Sequence, residues 1–430
     1  MRIQASKRAA AAFMACTALT ILLPTTAPAA PANQALDITQ LVQVAMEVNP
    51  QVRAARARWE AAEHSIKQNY VPNDPTFTYA NIDSPTNGFS QAAAHSIIVS
   101  ESFQFPGKAL LQADQAKRAA GIARLQYQAT VRDIRAAVET SYYQVLLDSA
   151  LAAVNAQNID NLAQVLKVTQ VAYAASQVTQ TDFISAEFDL ATARQQQQQY
   201  RVNEENDRTA LNQLLYRQPD APLAIDETLS LKRLAVALDT LVSRAVAARQ
   251  EILGAALAER NSETGLRLAR LEYAPDYNVS YVFDNYLIPS AGPTPNALQD
   301  HGWAFGFNLP VFFWIKQKED VRRARSDLEA ARDDLGSIRS QTAASVTTLF
   351  RNAQLAYDTA VLYRDTLVPL ARQDFKVALV AYESGKIDFV TLAGALQRSY
   401  HARVSYLQAA NQLMANRVAL EQAVGEPLGE

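Results

Sequence analysis

Two stretches of this sequence are too long, and too free of helix-breaking residues, to fold inside one small globular core. Residues 107–175 contain no proline and, after Gly107 itself, only one glycine, Gly121. At 1.5 Å per residue this segment makes roughly 100 Å of helix. Residues 316–383 form a similar segment, interrupted only by Pro369. Helices of this length bury an apolar stripe only by lying against other long helices, so the fold is expected to be mainly α.

The second long segment also shows how it packs. Its apolar residues follow one another in alternating steps of three and four, which is the heptad pattern of a coiled coil. The alanines in this seam allow neighbouring helices to approach closely. The predicted seam consists of Val346, Leu349, Ala353, Ala356, Ala360, Tyr363, Leu367 and Leu370. Shorter helical stretches are predicted over residues 38–69, 182–216, 238–272 and 389–424.

The chain contains an internal repeat. The segment LVQVAMEVNPQVRAARARWEAAEHSIKQNYVPNDPTFTY (41–79) is echoed by LVSRAVAARQEILGAALAERNSETGLRLARLEYAPDYNVSY (241–281). In each half the order is helix, strand, loop, strand, long helix, turn, helix. We therefore predict a first repeat over residues 31–230, with a β-hairpin at about 75–105. The second repeat covers residues 231–430, with a hairpin at about 276–311.

The strands of the second hairpin alternate between apolar and polar residues. Asn278, Ser280 and Ala304, for example, point away from the apolar side. A strand of about 9–11 residues with this alternation fits a lipid-facing membrane strand, but a half-buried sheet of a soluble protein has the same period. The positions predicted to face lipid are Tyr277, Val279, Tyr281, Phe283, Trp303, Phe305 and Phe307.

The first thirty residues are expected to be a cleaved secretory signal peptide. Arg2, Lys7 and Arg8 precede an apolar run over residues 9–23, and small residues follow at 27–30. Cys16 is the only cysteine and lies inside this run, so the exported chain has no disulfide and no thiolate metal site. A net charge of −3 argues against a nucleic-acid partner. No later stretch is apolar enough for a transmembrane helix.

These segments, in this order, resemble the TolC-like outer-membrane factor family, and the resemblance covers nearly the whole exported chain. It rests on NPQVRAARARWEAAE, PNDPTFTY, FQFPGKALLQADQAKR, FNLPVFFWIKQKEDVRRARSDLEAA and AYESGKIDFVTLAGALQRSY. The resemblance implies a homotrimer in the outer membrane that extends into the periplasm. Each copy would supply four strands to a twelve-stranded β-barrel, and its long helical hairpins would form a periplasmic α-barrel. The motif after Pro310 is most similar to the heavy-metal (cation) efflux branch.

In the family, helix-turn-helix tips close the periplasmic end of the duct and face the adaptor. They map here to residues 176–182 and 384–391. The resemblance implies adaptor docking at Ser176, Gln177, Ser384, Gly385 and Lys386, and a periplasmic gate at Asp182, Asp388 and Thr391. The second tip departs from the family pattern, because Thr391 stands where the first tip has Asp182. The alternative is that Asp182 and Asp388 cap the helices that follow the turns.

The sequence offers no enzymatic motif and no clustered metal ligands, since its four histidines are isolated. We expect no catalysis, no cofactor and no metal site. The expected function is passive export as the exit duct of a tripartite pump, in which a periplasmic adaptor and an inner-membrane transporter are the partners. A periplasmic coiled-coil scaffold or adaptor without membrane insertion is the alternative. The substrate, metal cations or another class, stays open.

Overall fold

The computed structural model describes residues 37–83, 92–225, 231–288 and 296–428. The predicted signal peptide, residues 1–30, lies outside this part of the chain. The described residues form nine α-helices and four β-strands in the predicted order. The helices are α1 (Ile38–Val48), α2 (Pro50–Gln68), α3 (Lys108–Ala174), α4 (Gln180–Leu214), α5 (Leu238–Ala248), α6 (Gln250–Leu271), α7 (Lys316–Leu362), α8 (Val368–Glu383) and α9 (Phe389–Val424). The strands are β1 (Thr76–Asp83), β2 (Ala92–Phe103), β3 (Asp276–Ile288) and β4 (Asn296–Asn308).

The second long helical segment is continuous but changes its winding. Between α7 and α8 the backbone forms one π-helical turn, Tyr363–Leu367, and Pro369 follows as the second residue of α8. A proline has no N–H to donate, and its ring clashes with the carbonyl four residues before it. The π turn relieves that clash by inserting one residue into the helix. The interruption predicted at Pro369 is thus a change of helical winding and not a break.

The two shorter helical stretches before the hairpins were each predicted as one helix, and this is wrong. Each is divided by one extended residue, Asn49 with φ −65° and ψ 124° in the first repeat and Arg249 with φ −64° and ψ 127° in the second. Asn49 precedes Pro50, which disfavours helical backbone at Asn49. Arg249 precedes Gln250, so the second division has no local cause and depends on tertiary contacts.

The four strands form one antiparallel sheet in the order β1-β2-β3-β4. β2 pairs with β3, from Ala94 opposite Tyr286 to Phe103 opposite Tyr277. This central pair joins the hairpins of the two repeats. β1 and β4 have one neighbour each, so the sheet ends in two free edges.

The helices follow the same order as the strands. On the side next to the sheet, α2, α3, α6 and α7 pack in series, and beyond them α4, α3, α9 and α7–α8 do the same. The buried core repeats as well, with Leu41, Ala45 and Val52 matched by Leu241, Ala245 and Ile252. Among the helices that the structure describes, none combines the length and apolar character needed to cross a membrane.

The π turn marks the place where the second repeat has gained one residue. Before it, buried Val138 and Tyr142 match Val346 and Phe350, 208 positions later. After it, the separation is 209, as between the left-handed residues Ser176 and Gly385. The predicted seam is therefore correct only up to Ala360. Beyond the π turn the buried side passes to Phe375, Ala378 and Tyr382, whereas Leu370 and Val377 are exposed.

Candidate functional site

One face of the sheet carries the large apolar side chains. Residues directly opposite in an antiparallel pair lie on the same face, and Tyr281 is opposite both Val99 and Trp303. The rings of Tyr281 and Trp303 meet edge to face with centroids 5.1 Å apart. All seven positions predicted to face lipid share this side, because the register pairs Tyr277 with Phe307, Val279 with Phe305, and Tyr281 with Trp303, while Phe283 follows Tyr281 by two residues.

The apolar face is uncovered, and Phe305 is 71% exposed. Phe77 and Tyr79 of β1 extend this face to the first edge strand. Glu101 also lies on it, two residues from the helical end of β2. A soluble monomer rarely leaves a contiguous apolar surface of this kind in water.

The opposite face of the sheet is mostly small and polar. Gly306 is opposite Asn278, and a Cβ added at Gly306 would lie only 2.0 Å from the Oδ1 atom of Asn278. Glycine at this position therefore makes room for the amide. Two apolar residues on this face are Ile98 and Val282, and the others include Thr78, Ser96, Ser100, Asn278, Ser280, Asp284, Gly302, Ala304 and Gly306.

A buried lysine joins the two repeats where the sheet meets the helices. Lys108, the first residue of α3, is only 2% exposed. Its Nζ atom donates to Glu272 Oε2 at 3.2 Å, to the Ala274 carbonyl at 3.0 Å and to Asp276 Oδ1 at 2.9 Å. All three ammonium donors are thus satisfied. Asp276 Oδ1 also accepts from the Phe105 N–H at 2.7 Å. This carboxylate, at the start of β3, therefore holds the segment that joins β2 to α3.

The role of Lys108 was missed from the sequence. A lysine after Pro-Gly at the start of a long helix is a visible signal, but its acidic partners are more than 160 positions away. Only the pairing of β2 with β3 brings them together.

The two helical tips have the same backbone. In the first, Ser176 adopts φ 57°, and the N–H of Gln177 donates to the Ala172 carbonyl at 2.8 Å. In the second, Gly385 adopts φ 69°, and the N–H of Lys386 donates to the Ala381 carbonyl at 2.9 Å. Each is a Schellman ending of the long helix. Five predicted docking residues, Ser176, Gln177, Ser384, Gly385 and Lys386, therefore lie in equivalent turns.

The helix that follows each turn is capped by a Thr–Asp pair, and the two residues exchange places between the tips. Thr179 is the N-cap of α4, and its N–H and hydroxyl both donate to Asp182 Oδ2, at 3.0 and 2.8 Å. In the second tip Asp388 is the N-cap of α9 and accepts from the Thr391 N–H at 2.9 Å. Hydrogen bonds from the Thr391 side chain and backbone lower the pKa of Asp388 below its ordinary value.

Asp182, Asp388 and Thr391, the predicted gate residues, are thus all capping residues in the structure. Asp182 and Thr391 occupy the same position of their turns, as the sequence spacing predicted. Asp388 and Thr391 are exposed and Asp182 is half-buried, and each tip contains one of the two carboxylates. Capping and gating do not exclude each other, and the gate stays a prediction.

An ionic cluster holds the division between α5 and α6. Arg132 donates to both carboxylate oxygens of Glu251, at 2.5 and 2.9 Å, and Arg249 donates to Glu251 Oε2 at 3.0 Å. Burial acts to raise the pKa of Glu251, but the hydrogen bonds and charges of these arginines outweigh it, and the pKa falls to about 2. In the first repeat Asn49 stabilises the division between α1 and α2. Its side chain accepts a hydrogen bond from the Gln51 N–H and donates one to the Leu214 carbonyl.

Comparison with known proteins agrees with this geometry. The family model described as "Outer membrane efflux protein" matches residues 41–215 and 241–426. The comparison with curated protein sequences found no match.

Several solved membrane proteins share the fold. The outer membrane protein VceC of Vibrio cholerae has a TM-score of 0.75 at 14% identity, over 91% of this chain and 97% of that one. A membrane protein from Pseudomonas aeruginosa gives 0.77 at 17% identity, over 90% and 92%. The Campylobacter jejuni CmeC outer membrane channel gives 0.74 at 14% identity, over 91% and 87%.

Proposed function

Because the chain belongs to the outer membrane efflux protein family, we propose that three copies of it form one duct served by a periplasmic adaptor and an inner-membrane transporter. Family membership makes the protein an outer-membrane efflux duct that extends into the periplasm. It also favours the duct over the coiled-coil scaffold or adaptor. The family is one of channels and not of enzymes. The number of copies, the two partners and the substrate are the parts proposed here.

The four-stranded sheet is the main observation that supports the proposed trimer. Four strands with two free edges are too few to close around a pore, and an open edge invites pairing with another chain. Three copies would supply twelve strands, within the range of membrane barrels. The apolar face would then meet outer-membrane lipid, and the small polar face would line the lumen. We also propose residues 31–230 and 231–430 as the structural units that alternate around this ring.

The trimer is tested by fractionation and gel mobility. The protein should sediment with outer membranes and run as a trimer on unboiled denaturing gels, collapsing to one chain after boiling. A monomer released in the soluble periplasmic fraction would refute the proposal and restore the scaffold alternative.

We propose further that the tips form the closed periplasmic end and dock the adaptor. The support is that the caps hold one carboxylate in each tip, and three-fold symmetry would gather six of them around the axis. Charge and cap can be separated by substitution. Asp182→Asn with Asp388→Asn removes the charges and leaves amide oxygens that can still cap, whereas the double alanine variant removes both.

A charged gate predicts that the asparagine variant alters cation preference or leak in bilayer conductance as much as the alanine variant does. If only the alanine variant differs from the wild type, the two residues are caps and nothing more.

Metal cations are proposed as substrate on the resemblance of the 310–316 motif to the heavy-metal branch. The described residues contain no group of three or more His, Cys, Asp or Glu side chains that could hold a metal ion, so we place no metal-binding step in them. Deleting the gene should lower tolerance to divalent metals and not to detergents or dyes; the reverse pattern would count against metal export.

A further inference from the structure

Three helices enclose a cleft in the half of the molecule that ends at the helical tips. α3 forms the floor of this cleft, and α4 and α9, which each pack against α3, form its two walls. Its volume is about 750 Å³, and small-molecule pockets of proteins have roughly 300–1,000 Å³. One copy of the chain supplies the lining, which combines apolar and polar side chains. The cleft is therefore large enough for a small organic molecule.

Hydrogen bonds hold the cleft in this form. The side-chain amide of Asn155, on the floor, donates to the Ala193 carbonyl and to Gln197 Oε1 of α4, both at 2.9 Å. The hydroxyl groups of Tyr200 and Tyr400 lie 3.2 Å apart and so join α4 to α9. Burial and this hydrogen bond raise the pKa of Tyr400, so its hydroxyl stays neutral. The walls are thus positioned before a ligand binds, which lowers the cost of binding.

The lining of the cleft contains one carboxylate, that of Asp189. Asp189 is half-buried and lies on the packed side of α4, since Ala186 and Ala193, three residues before it and four after it, are both buried. Among the described residues, none forms an ion pair or a hydrogen bond with the Asp189 side chain, and none that lines the cleft is a lysine or an arginine. Burial raises the pKa of this carboxyl above its ordinary value. The cleft therefore holds a partly desolvated acidic group without a cation.

The second repeat shows how the equivalent place is neutralised. With the separation of 209 positions that holds beyond the π turn, Asp189 corresponds to Arg398, and Val165 on the floor of the cleft corresponds to Asp374. Arg398 and Asp374 form an ion pair, in which Arg398 Nη2 lies 2.7 Å from Asp374 Oδ2. In the first repeat an aspartate and a buried valine occupy these two places. The charge that the second repeat compensates internally is left uncompensated in the cleft.

The rest of the lining indicates which kind of cation would bind. Phe389, Tyr200 and Tyr400 supply aromatic rings, and aromatic faces attract cations. A metal ion such as Ca²⁺ needs several oxygen ligands, but the described part of the chain has no group of three or more acidic, histidine or cysteine side chains that could hold one. One carboxylate beside apolar and aromatic groups is better matched by an organic cation.

We infer that the cleft between α3, α4 and α9 binds an organic cation with an apolar body. The positive charge lies against Asp189, and the apolar body lies among Leu162, Val165 and Phe389. This inference goes beyond the proposed function and does not depend on the number of copies, because a single chain forms the cleft. It concerns a ligand of the helical wall and leaves the exported substrate as proposed above.

Equilibrium dialysis with tetraphenylphosphonium tests this site on the purified exported chain in a neutral detergent, with detergent alone as the background. Tetraphenylborate, which has the same four phenyl groups and the opposite charge, is the matched ligand control. Asp189→Asn removes the charge. Gly394→Phe keeps Asp189 but fills the cleft, where a Cβ at Gly394 would meet only the end of the Arg398 side chain, at 3.4 Å. Glu187→Gln is the control variant, because Glu187 is exposed on the same helix and does not line the cleft.

The inference expects saturable binding of tetraphenylphosphonium and none of tetraphenylborate. Asp189→Asn and Gly394→Phe should each weaken this binding by about tenfold or more, whereas Glu187→Gln should leave it within about twofold of the wild type. No saturable binding to the wild type, equal binding of the two ions, or unchanged binding to Asp189→Asn would overturn the inference. Binding that Gly394→Phe does not weaken would place the cation outside the cleft and overturn it as well. Circular dichroism checks that each variant is folded, and if one of the two test variants is not, the other decides.

Discussion

The division between α5 and α6 should make the stability of the protein depend on pH through Glu251. The folded state lowers the pKa of this carboxyl from 4.5 to about 2. At 1.36 kcal/mol per pH unit this difference corresponds to about 3 kcal/mol for a carboxylate that solvent does not reach. The Glu251 side chain is 36% exposed, so solvent screening reduces the expected contribution to roughly 1–2 kcal/mol.

The sign follows from the direction of the shift. Because the pKa of Glu251 is lower in the folded state, its ionised form stabilises the folded protein. This stabilisation is complete above the unfolded-state pKa of about 4.5, and it is lost as the pH falls toward the folded-state pKa of about 2. Glu251→Gln should therefore lower the unfolding temperature at pH 7 and leave less than half of that difference from the wild type at pH 3.

Thermal unfolding in detergent, followed by circular dichroism at both pH values, measures this difference. Glu263→Gln is the control, because Glu263 pairs with Arg267 on an exposed side of the same helix. Surface pairs of this kind contribute about 0.3–0.5 kcal/mol. An equal loss for Glu251→Gln at pH 7 and pH 3, or an equal effect of the two variants, would refute the role assigned to Glu251.

Two further predictions concern the sheet and the tips. Phe305→Asp should cost less than the about 2–4 kcal/mol of a lipid-facing Arg or Lys at the bilayer midplane if this side meets lipid, and should reduce the yield of unboiled trimer far more than Ala304→Asp on the opposite face; equal yields would contradict the assignment of faces. At the tips, Ser176→Gly should relieve about 1 kcal/mol of left-handed strain, whereas Gly385→Ser should add a similar cost. Amide hydrogen exchange at the two turns should slow in the first variant and accelerate in the second, and a change of the opposite sign would argue against strain at these residues.

The local sequence pattern predicted most of the helices and both hairpins. The segment predicted at 107–175 is α3 at Lys108–Ala174, and the hairpins predicted at about 75–105 and 276–311 lie at residues 76–103 and 276–308. The apolar sides of β3 and β4 were also correct. Periodicity and the absence of breakers suffice here, since a long uninterrupted pattern leaves little choice of secondary structure.

For the candidate gate, residue spacing predicted the positions of the side chains but not the hydrogen bonds that they form. The sequence placed Asp182 and Thr391 at equivalent points, and the structure confirms it. The sequence did not reveal that Thr179 is the capping partner of Asp182, because a capping box depends on the backbone at the start of the helix. The sequence left caps as an alternative, and the hydrogen bonds show that they form.

The sequence by itself determined the extent of the two long helical segments, the two repeats and the two-sided strands, because each of these follows from residues that are neighbours along the chain. Only the tertiary structure decided three features. These are the ion pairs that Glu251 makes with Arg132 and Arg249, the burial of Lys108, and which side of α8 is buried after the π turn. These features depend on groups between about 100 and 170 positions apart, or on one inserted residue that rotates everything beyond it. Such contacts form only when the two repeats pack together, and no local pattern records them.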